Sequence, residues 1–152
     1  MTANDFEPIE YQKEYEPLLL SFLESCLPES HRCLDINGRH SYYLNIAEHF
    51  AGFWCMFDGG NIIGTVAVSE LESTSCELKS LYLSEKYQGM GYGKALLEYA
   101  IEQAKKWGYK KMFLDSLSTS SKAIALYRRY SFRECERYNS NVYSDVFMVL
   151  EL

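Results

Sequence analysis

ELKSLYLSEKYQGMGYGKALLEYAIEQAKKWGY, residues 77–109, joins a strand-like run to a strongly helical one through three alternating glycines, Gly89, Gly91 and Gly93. Glycines ahead of a helix N-terminus let main-chain N–H groups approach an anion, and the helix dipole favours negative charge there. Pyrophosphate binding is the functional reading of such a loop; a plain glycine turn between strand and helix is the structural one. From Lys94 onward, Leu96, Leu97, Ala100, Ile101, Ala104 and Trp107 form one helical stripe. Lys105 and Lys106 suit the negative end of its dipole, and Gly108 is placed to end the helix. Upstream, Leu78, Leu81 and Leu83 are the apolar positions of a strand. Its alternation breaks around Ser80 and Leu81, which fits a β-bulge.

Outward from this stretch the chain divides into short elements. YEPLLLSFLESCL carries helical apolar spacing and stops at Pro28, and HSYYLNIAEHFAGF predicts a second helix. FWCMFDGGNIIGTVAVSEL predicts a hairpin, with Gly59 and Gly60 supplying the positive φ of a tight turn. After Gly108, KKMFLD predicts a strand, and Ser120 or Ser121 caps a short helix, KAIALYRRY. FRECER and VFMVLEL predict two closing strands, the second apolar enough to be central. The expected order is ααβββαβαββ in one mixed α/β domain spanning residues 1–152.

The 152 residues suffice to bury one real core. Net charge −6 argues against a nucleic-acid surface, which needs a basic stripe. Apolar runs fall well short of a membrane span, and MTANDFEPIEYQKEYEP has neither the positive flank nor the apolar centre of a secretory signal. Five scattered cysteines without CxxC spacing predict free thiols in a cytoplasmic protein. The three histidines fall between residues 31 and 49, away from cysteine or acidic clusters, so no metal site is expected.

Three phosphate-binding designs compete for the glycine loop. A P-loop needs GxxxxGK[ST]; counting back from Gly93 and Lys94 puts Gln88 first and Ala95 last, which excludes it. A dinucleotide fingerprint needs GxGxxG, but the third site is Lys94. Asp115 falls where a ribose-binding acid would, yet too little chain follows it to complete a doubly wound sheet. The third design fits. Gln88-Gly89-Met90-Gly91-Tyr92-Gly93 matches the Q/R-x-x-G-x-G/A signature of the acetyl-CoA-dependent GNAT N-acetyltransferases. ELKSLYLSEKYQGMGYGKALLEYAI resembles that family's fourth strand, pyrophosphate loop and third helix, and KAIALYRRYSF resembles its A-x-x-LYxxxGF segment. FWCMFDGGNIIGTVAV is similar to its second and third strands. Ser131 replaces the glycine of LYxxxGF, where positive φ is preferred, and Ser120 replaces a frequent asparagine.

The resemblance implies a single mixed sheet with flanking helices, splayed between its fourth and fifth strands, and transfer of an acetyl group from acetyl-CoA to an amine. It implies that amides of Gln88, Gly89, Met90, Gly91, Tyr92, Gly93 and Lys94 face the pyrophosphate. It also implies that Leu81, Tyr82 and Leu83 pair through their backbone with the pantetheine arm, and that Ser120 adds a coenzyme contact. Tyr127 becomes the acid that protonates the coenzyme thiolate; the structural reading makes it a core aromatic beside Ala123, Ile124 and Tyr130. Glu77 becomes the group that takes the proton of the incoming ammonium, against a plain strand-end carboxylate, with Asp115 a weaker candidate. Tyr82, Tyr138, Asn139 and Asn141 are candidates for the acceptor side, although ERYNSNVYSD reads first as an ordinary Asn- and Ser-rich turn. The implied acceptor is a primary amine of a small molecule or amino acid, attacked directly in a ternary complex, and a homodimer is compatible with this reading. The alternatives are a protein amino group as acceptor, or a non-catalytic module that binds or senses acyl-CoA.

Overall fold

The computed structural model describes residues 6–152, so the first five residues of the polar start lie outside it. Helix α1 (Glu16–Glu29) follows a short strand β1 (Ile9–Glu10) and a 3-10 turn at Lys13–Tyr15. Pro28 sits inside the last turn of α1 rather than beyond it. The single helix expected over HSYYLNIAEHFAGF is instead a 3-10 turn, Ser41–Leu44, and one turn of helix α2 (Ile46–His49). Aromatic packing overrides helical spacing here: Tyr42 and Tyr43 lie 4.7 Å apart, and Phe50 packs at 5.2 Å on Phe53.

Strands β2 (Gly52–Asp58) and β3 (Asn61–Glu72) form the expected hairpin. Only Gly59 of its two turn glycines has positive φ, at 64°. Next come β4 (Ser75–Leu83), α3 (Tyr92–Lys106), β5 (Lys111–Ser116), α4 (Ser121–Arg129), β6 (Arg133–Glu134) and β7 (Val146–Glu151). Gly108, at φ 85°, closes α3 as its position predicts. The sheet order is β1-β2-β3-β4-β5-β7-β6, with every neighbouring pair antiparallel except β4 and β5.

Each face of the sheet buries its own core. On one face Leu96, Leu97, Ala100 and Ala104 of α3 pack against Val66, Val68, Cys76, Leu78 and Met112, with Tyr127 of α4 in the same cluster. Truncating Leu96 or Leu97, both fully buried, would cost about 2–5 kcal/mol. On the other face Leu19, Phe22, Leu23 and Leu27 of α1 pack with Tyr43, Phe53, Cys55 and Ala67. Trp107 is not part of the buried stripe; it caps α3, is 45% exposed, and stacks on Trp54 at 5.8 Å.

The bulge expected near Ser80 is present. Ala67 pairs with Lys79 and Thr65 with Tyr82, so the one residue between them on β3 faces both Ser80 and Leu81. Ser80 has φ 55°, its carbonyl accepts Thr65 Oγ1 at 2.7 Å, and its hydroxyl meets the Tyr43 hydroxyl at 2.7 Å. The extra residue resets the alternation. Cys76 and Leu78 face α3, and beyond the bulge Leu81 and Leu83 pack on that side too. Tyr82 thereby turns to the opposite face, among the α1 cluster.

Candidate active site

Strands β4 and β5 share only three rungs: Ser75 with Lys111, Cys76 with Met112 and Glu77 with Phe113. Beyond Glu77 they diverge, β5 continuing with β7 and residues 78–83 of β4 keeping β3 as their only ladder partner among the described residues. One edge of β4 is therefore an open row of main-chain donors and acceptors inside the domain, the setting in which an extended ligand can add as a strand. Leu81, Tyr82 and Leu83 all lie on this segment and are half-buried.

The chain leaves that edge through a 3-10 turn, Glu85–Tyr87, and enters the glycine loop. Gln88 donates from Nε2 to the Leu83 carbonyl at 3.1 Å, tying the loop back to the strand. Gly89 and Gly91 have φ 82° and 89°, a conformation that costs other L-residues about 1–2 kcal/mol. Gly91 is the N-cap of α3, and the first helical bond of that helix runs from Ala95 N to Gly91 O. The amides of Tyr92, Gly93 and Lys94 thus precede the helical ladder, and no acidic side chain occupies the first turn. Met90 and Lys94 point outward, Met90 being 47% exposed and Lys94 Nζ lying 3.9 Å from Glu98 Oε1. The Tyr92 ring is fully buried beside Phe6 at 5.2 Å and Tyr87 at 6.4 Å, so it anchors the start of α3 in the core.

Tyr127 is 7% exposed, in the cluster that holds Leu81 and Leu83, with Phe132 at 5.8 Å. No hydrogen bond joins its hydroxyl to another described residue. Burial, then the neighbouring Tyr82, pushes its phenol well above the usual tyrosine range, so it stays a proton donor at neutral pH. Tyr127 is thus a core aromatic whose hydroxyl keeps its proton. Ser120 stands at the N-cap position of α4, half-buried, and makes no capping bond with its side chain.

Glu77 is buried to 7% exposure at the point of divergence. Its Oε2 accepts Tyr138 Oη–H at 2.6 Å and Asn139 Nδ2–H at 3.1 Å. Its Oε1 has Lys79 Nζ at 3.6 Å and accepts no hydrogen bond from a described residue. Asp115 is differently placed. Its Oδ2 accepts Asn139 Nδ2 at 2.6 Å, and its Oδ1 accepts Ser144 Oγ at 2.7 Å and Asn141 Nδ2 at 3.1 Å. Both oxygens of Asp115 accept hydrogen bonds, whereas Glu77 Oε1 has only the Lys79 ion pair among the described residues. Burial first, then the charge and hydrogen bond of Glu77, drives the Tyr138 phenol strongly upward and holds it as a donor.

The acceptor-side candidates come together, though not as an ordinary turn. Residues 135–145 reach back to the splay, and Tyr138 packs on Phe113 at 4.9 Å. Tyr82, beyond the bulge, shares the face of Glu77 and Lys79, and Lys79 Nζ lies 5.3 Å from the Tyr42 ring. Arg39, from the segment after α1, stacks 3.8 Å over the Tyr143 ring and joins the two loops that border this end. Sequence reading passed over Lys79, Tyr42 and Ser144; their only signal was position, Lys79 being two residues from Glu77 on the same face.

The profile of the acetyltransferase (GNAT) family matches residues 13–132, and the chain belongs to that family. The N-acetyltransferase YsnE of Bacillus subtilis is 32% identical over 88 residues, covering 57% of this chain and 58% of that protein. YjgM of Escherichia coli, also named an N-acetyltransferase, is 31% identical over 87 residues, 55% of this chain and 52% of that protein. The matches thus span only a little over half of those relatives. A GNAT-family acetyltransferase structure from Staphylococcus aureus superposes with a TM-score of 0.87 over 96% of this chain and 98% of that one, at 21% identity. A GNAT acetyltransferase from Elizabethkingia anophelis, solved with acetyl-CoA bound, superposes with a TM-score of 0.74 over 98% and 99%, at 19% identity. The fold is the GNAT fold, splayed between its fourth and fifth strands.

Proposed function

We propose that this chain, folded as one domain, transfers the acetyl group of acetyl-CoA to a primary amine of a small molecule or amino acid by direct attack in a ternary complex. The observation that carries the reading is the continuity of three features. An edge of β4 without a ladder partner among the described residues runs from a buried carboxylate, Glu77, whose Oε1 has only the Lys79 ion pair among them, to a helix N-terminus whose first amides precede the helical ladder. The pyrophosphate of the cosubstrate sits at the amides of the loop from Gln88 to Lys94, and Ser120 contributes from the start of α4. The pantetheine arm runs along Leu81, Tyr82 and Leu83 as an added strand.

The chemistry follows from these places. Glu77 takes a proton from the incoming ammonium, directly or through water, which frees the nitrogen lone pair. The amine attacks the thioester carbonyl, and a β4 amide donates to the resulting oxyanion, a contribution of roughly 3 kcal/mol to the barrier. Collapse breaks the C–S bond, and Tyr127 gives its hydroxyl proton to the leaving thiolate. The attacking nitrogen, cationic after the attack, sheds its second proton to solvent, solvent restores the hydroxyl proton of Tyr127, and Glu77 releases the first proton, so the net products are an N-acetylated amine, free coenzyme A and one proton. Five free cysteines support a reducing compartment, the cytoplasm, as its location.

The test is incubation of the purified protein with acetyl-CoA and a panel of small amines, amino acids and lysine-containing peptides. Thiol release with one amine, and the acetylated product by mass spectrometry, is the expected result. Thiol release confined to peptides reassigns the acceptor to a protein amino group. Tight acetyl-CoA binding with no release for any amine supports a sensing module instead.

A further inference from the structure

The segment between β6 and β7 is braced before it touches the splay. Arg137 donates to the carbonyls of Asn141 at 2.7 Å and Ser144 at 3.2 Å, while its guanidinium lies 4.5 Å from the Phe147 ring centre. Asn139 Oδ1 accepts the Asn141 N–H and Asn141 Oδ1 accepts the Tyr143 N–H, both at 3.0 Å. Ser118 holds the far end, donating from N and Oγ to the Asp145 carboxylate at 2.8 and 2.7 Å.

The Asn139 amide is fully used. Its two N–H groups go to two carboxylates, Glu77 and Asp115, and its oxygen accepts a backbone N–H. Reversing the amide would set its oxygen against both carboxylates and its NH2 against a donor, so one orientation alone satisfies the site. The two acids depend on it unequally. Asp115 retains Asn141 and Ser144 if Asn139 is lost, but among the described residues Glu77 has only Asn139 and Tyr138 as hydrogen-bond donors.

We infer that Tyr138 and Asn139 are positioning residues for Glu77: by holding Oε2 from the loop side they fix the orientation of the carboxylate, with Oε1 turned to the acceptor. This rests on the reading of Glu77 as the proton acceptor. The charged and titratable groups around Glu77 are Lys79 and Cys76 on its own strand, Asp115 on β5 and Tyr138 from the loop; β3 presents the neutral Ser69 opposite it. Removing either donor takes a partner from the charged form alone, so protonation becomes easier.

Carboxyl-carbon NMR of the full chain labelled with 13C-glutamate reads this without any acceptor, the Glu77 signal being assigned by its loss in Glu77→Gln. Tyr138→Phe, which keeps the ring on Phe113, and Asn139→Ala are each expected to move the Glu77 titration to higher pH by about one to two units, the equivalent of one lost charged hydrogen bond. With the amine that the panel selects, the acidic limb of the kcat/KM profile moves by the same amount, while the KM for acetyl-CoA holds within about twofold of wild type if only the carboxylate is disturbed. An unmoved titration in Tyr138→Phe overturns the inference, and that variant decides alone if Asn139→Ala fails to fold. Wild-type transfer by Glu77→Gln would instead overturn the assignment of the base and leave the titration result standing, so the two failures are distinguishable.

Discussion

Glu77 lies opposite Phe113 at the last rung that β4 and β5 share. One residue further, the two strands no longer bond to each other. The proposed base thus stands where the interior of the sheet ends, buried enough to exclude bulk water and close enough to the open edge to meet a ligand lying on it. Phe113 supports the same point from the other strand, its ring carrying Tyr138, which donates to Glu77.

The glycine loop is tested by Gly91→Glu. The change adds bulk and negative charge at the N-cap of α3 and forces φ near 89° on a residue with a side chain. Calorimetry on the folded variant should detect no acetyl-CoA binding. Wild-type affinity would remove the loop from the cosubstrate site.

Tyr127→Phe isolates one hydroxyl. Because no described residue bonds that hydroxyl and Phe keeps the ring, stability should change by less than about 0.5 kcal/mol. The effect on kcat should be about ten- to a hundredfold, the low end of acid catalysis, since a thiol with pKa about 8.5 already leaves readily. Acetyl-CoA affinity should persist. Equal kcat, with chemistry shown to limit the rate, would leave Tyr127 a packing residue.

Ser131 carries positive φ, 73°, just past the end of α4, where Phe132 N bonds back to Tyr127 O at 3.1 Å. The strain expected from its replacement of glycine is therefore real. Ser131→Gly should stabilise the fold by about 1 kcal/mol, raising Tm by roughly 2–4 °C. A lower Tm would show that the serine makes up for its backbone in some other way.

Thiol chemistry should sort the cysteines by depth. Cys33 is exposed, Cys135 is half-buried, and Cys26, Cys55 and Cys76 are buried. A disulfide reagent at pH 8 should modify Cys33 fast and Cys135 slowly, and should reach all five only after denaturation. Rapid modification of a buried thiol in the native protein would contradict the packing of either core.

Alkaline pH should weaken the fold. Burial pushes the thiols of Cys26, Cys55 and Cys76 from 9.0 to about 12. A folded state that holds protons more tightly than the unfolded one has its full stability below the unfolded value and loses it as pH rises towards the folded one. Urea midpoints should therefore be level up to about pH 8 and fall between about pH 9 and 12. A midpoint constant across that window would refute the assignment.

Local signals carried most of the fold. The stripe on α3, the positive φ of Gly91 and the broken alternation at Ser80 are properties of a few consecutive residues, and each reappears in the structure. The failures are tertiary. Ile9 and Glu10 are both exposed, so β1 has no alternation to betray it. The aromatic residues around Tyr42 mimic helical spacing while packing on one another. Asn139 was legible as a turn residue, and the turn is there, but its partner Glu77 is 62 positions away. Nothing within a window of ten residues encodes that bond.

The bulge makes the length of β4 part of its chemistry. Side chains alternate along a strand, so one added residue acts on everything downstream as a frameshift acts on codons. Substituting Ser80 would alter a hydroxyl and a backbone preference. Drawing Ser80 into a regular ladder would exchange faces wholesale, sending Leu81 and Leu83 towards α1 and Tyr82 into the core under α3, whereas deleting it would leave all three on the faces they now hold. In this strand the break at Ser80, more than the identity of any one side chain, decides which face each later residue takes.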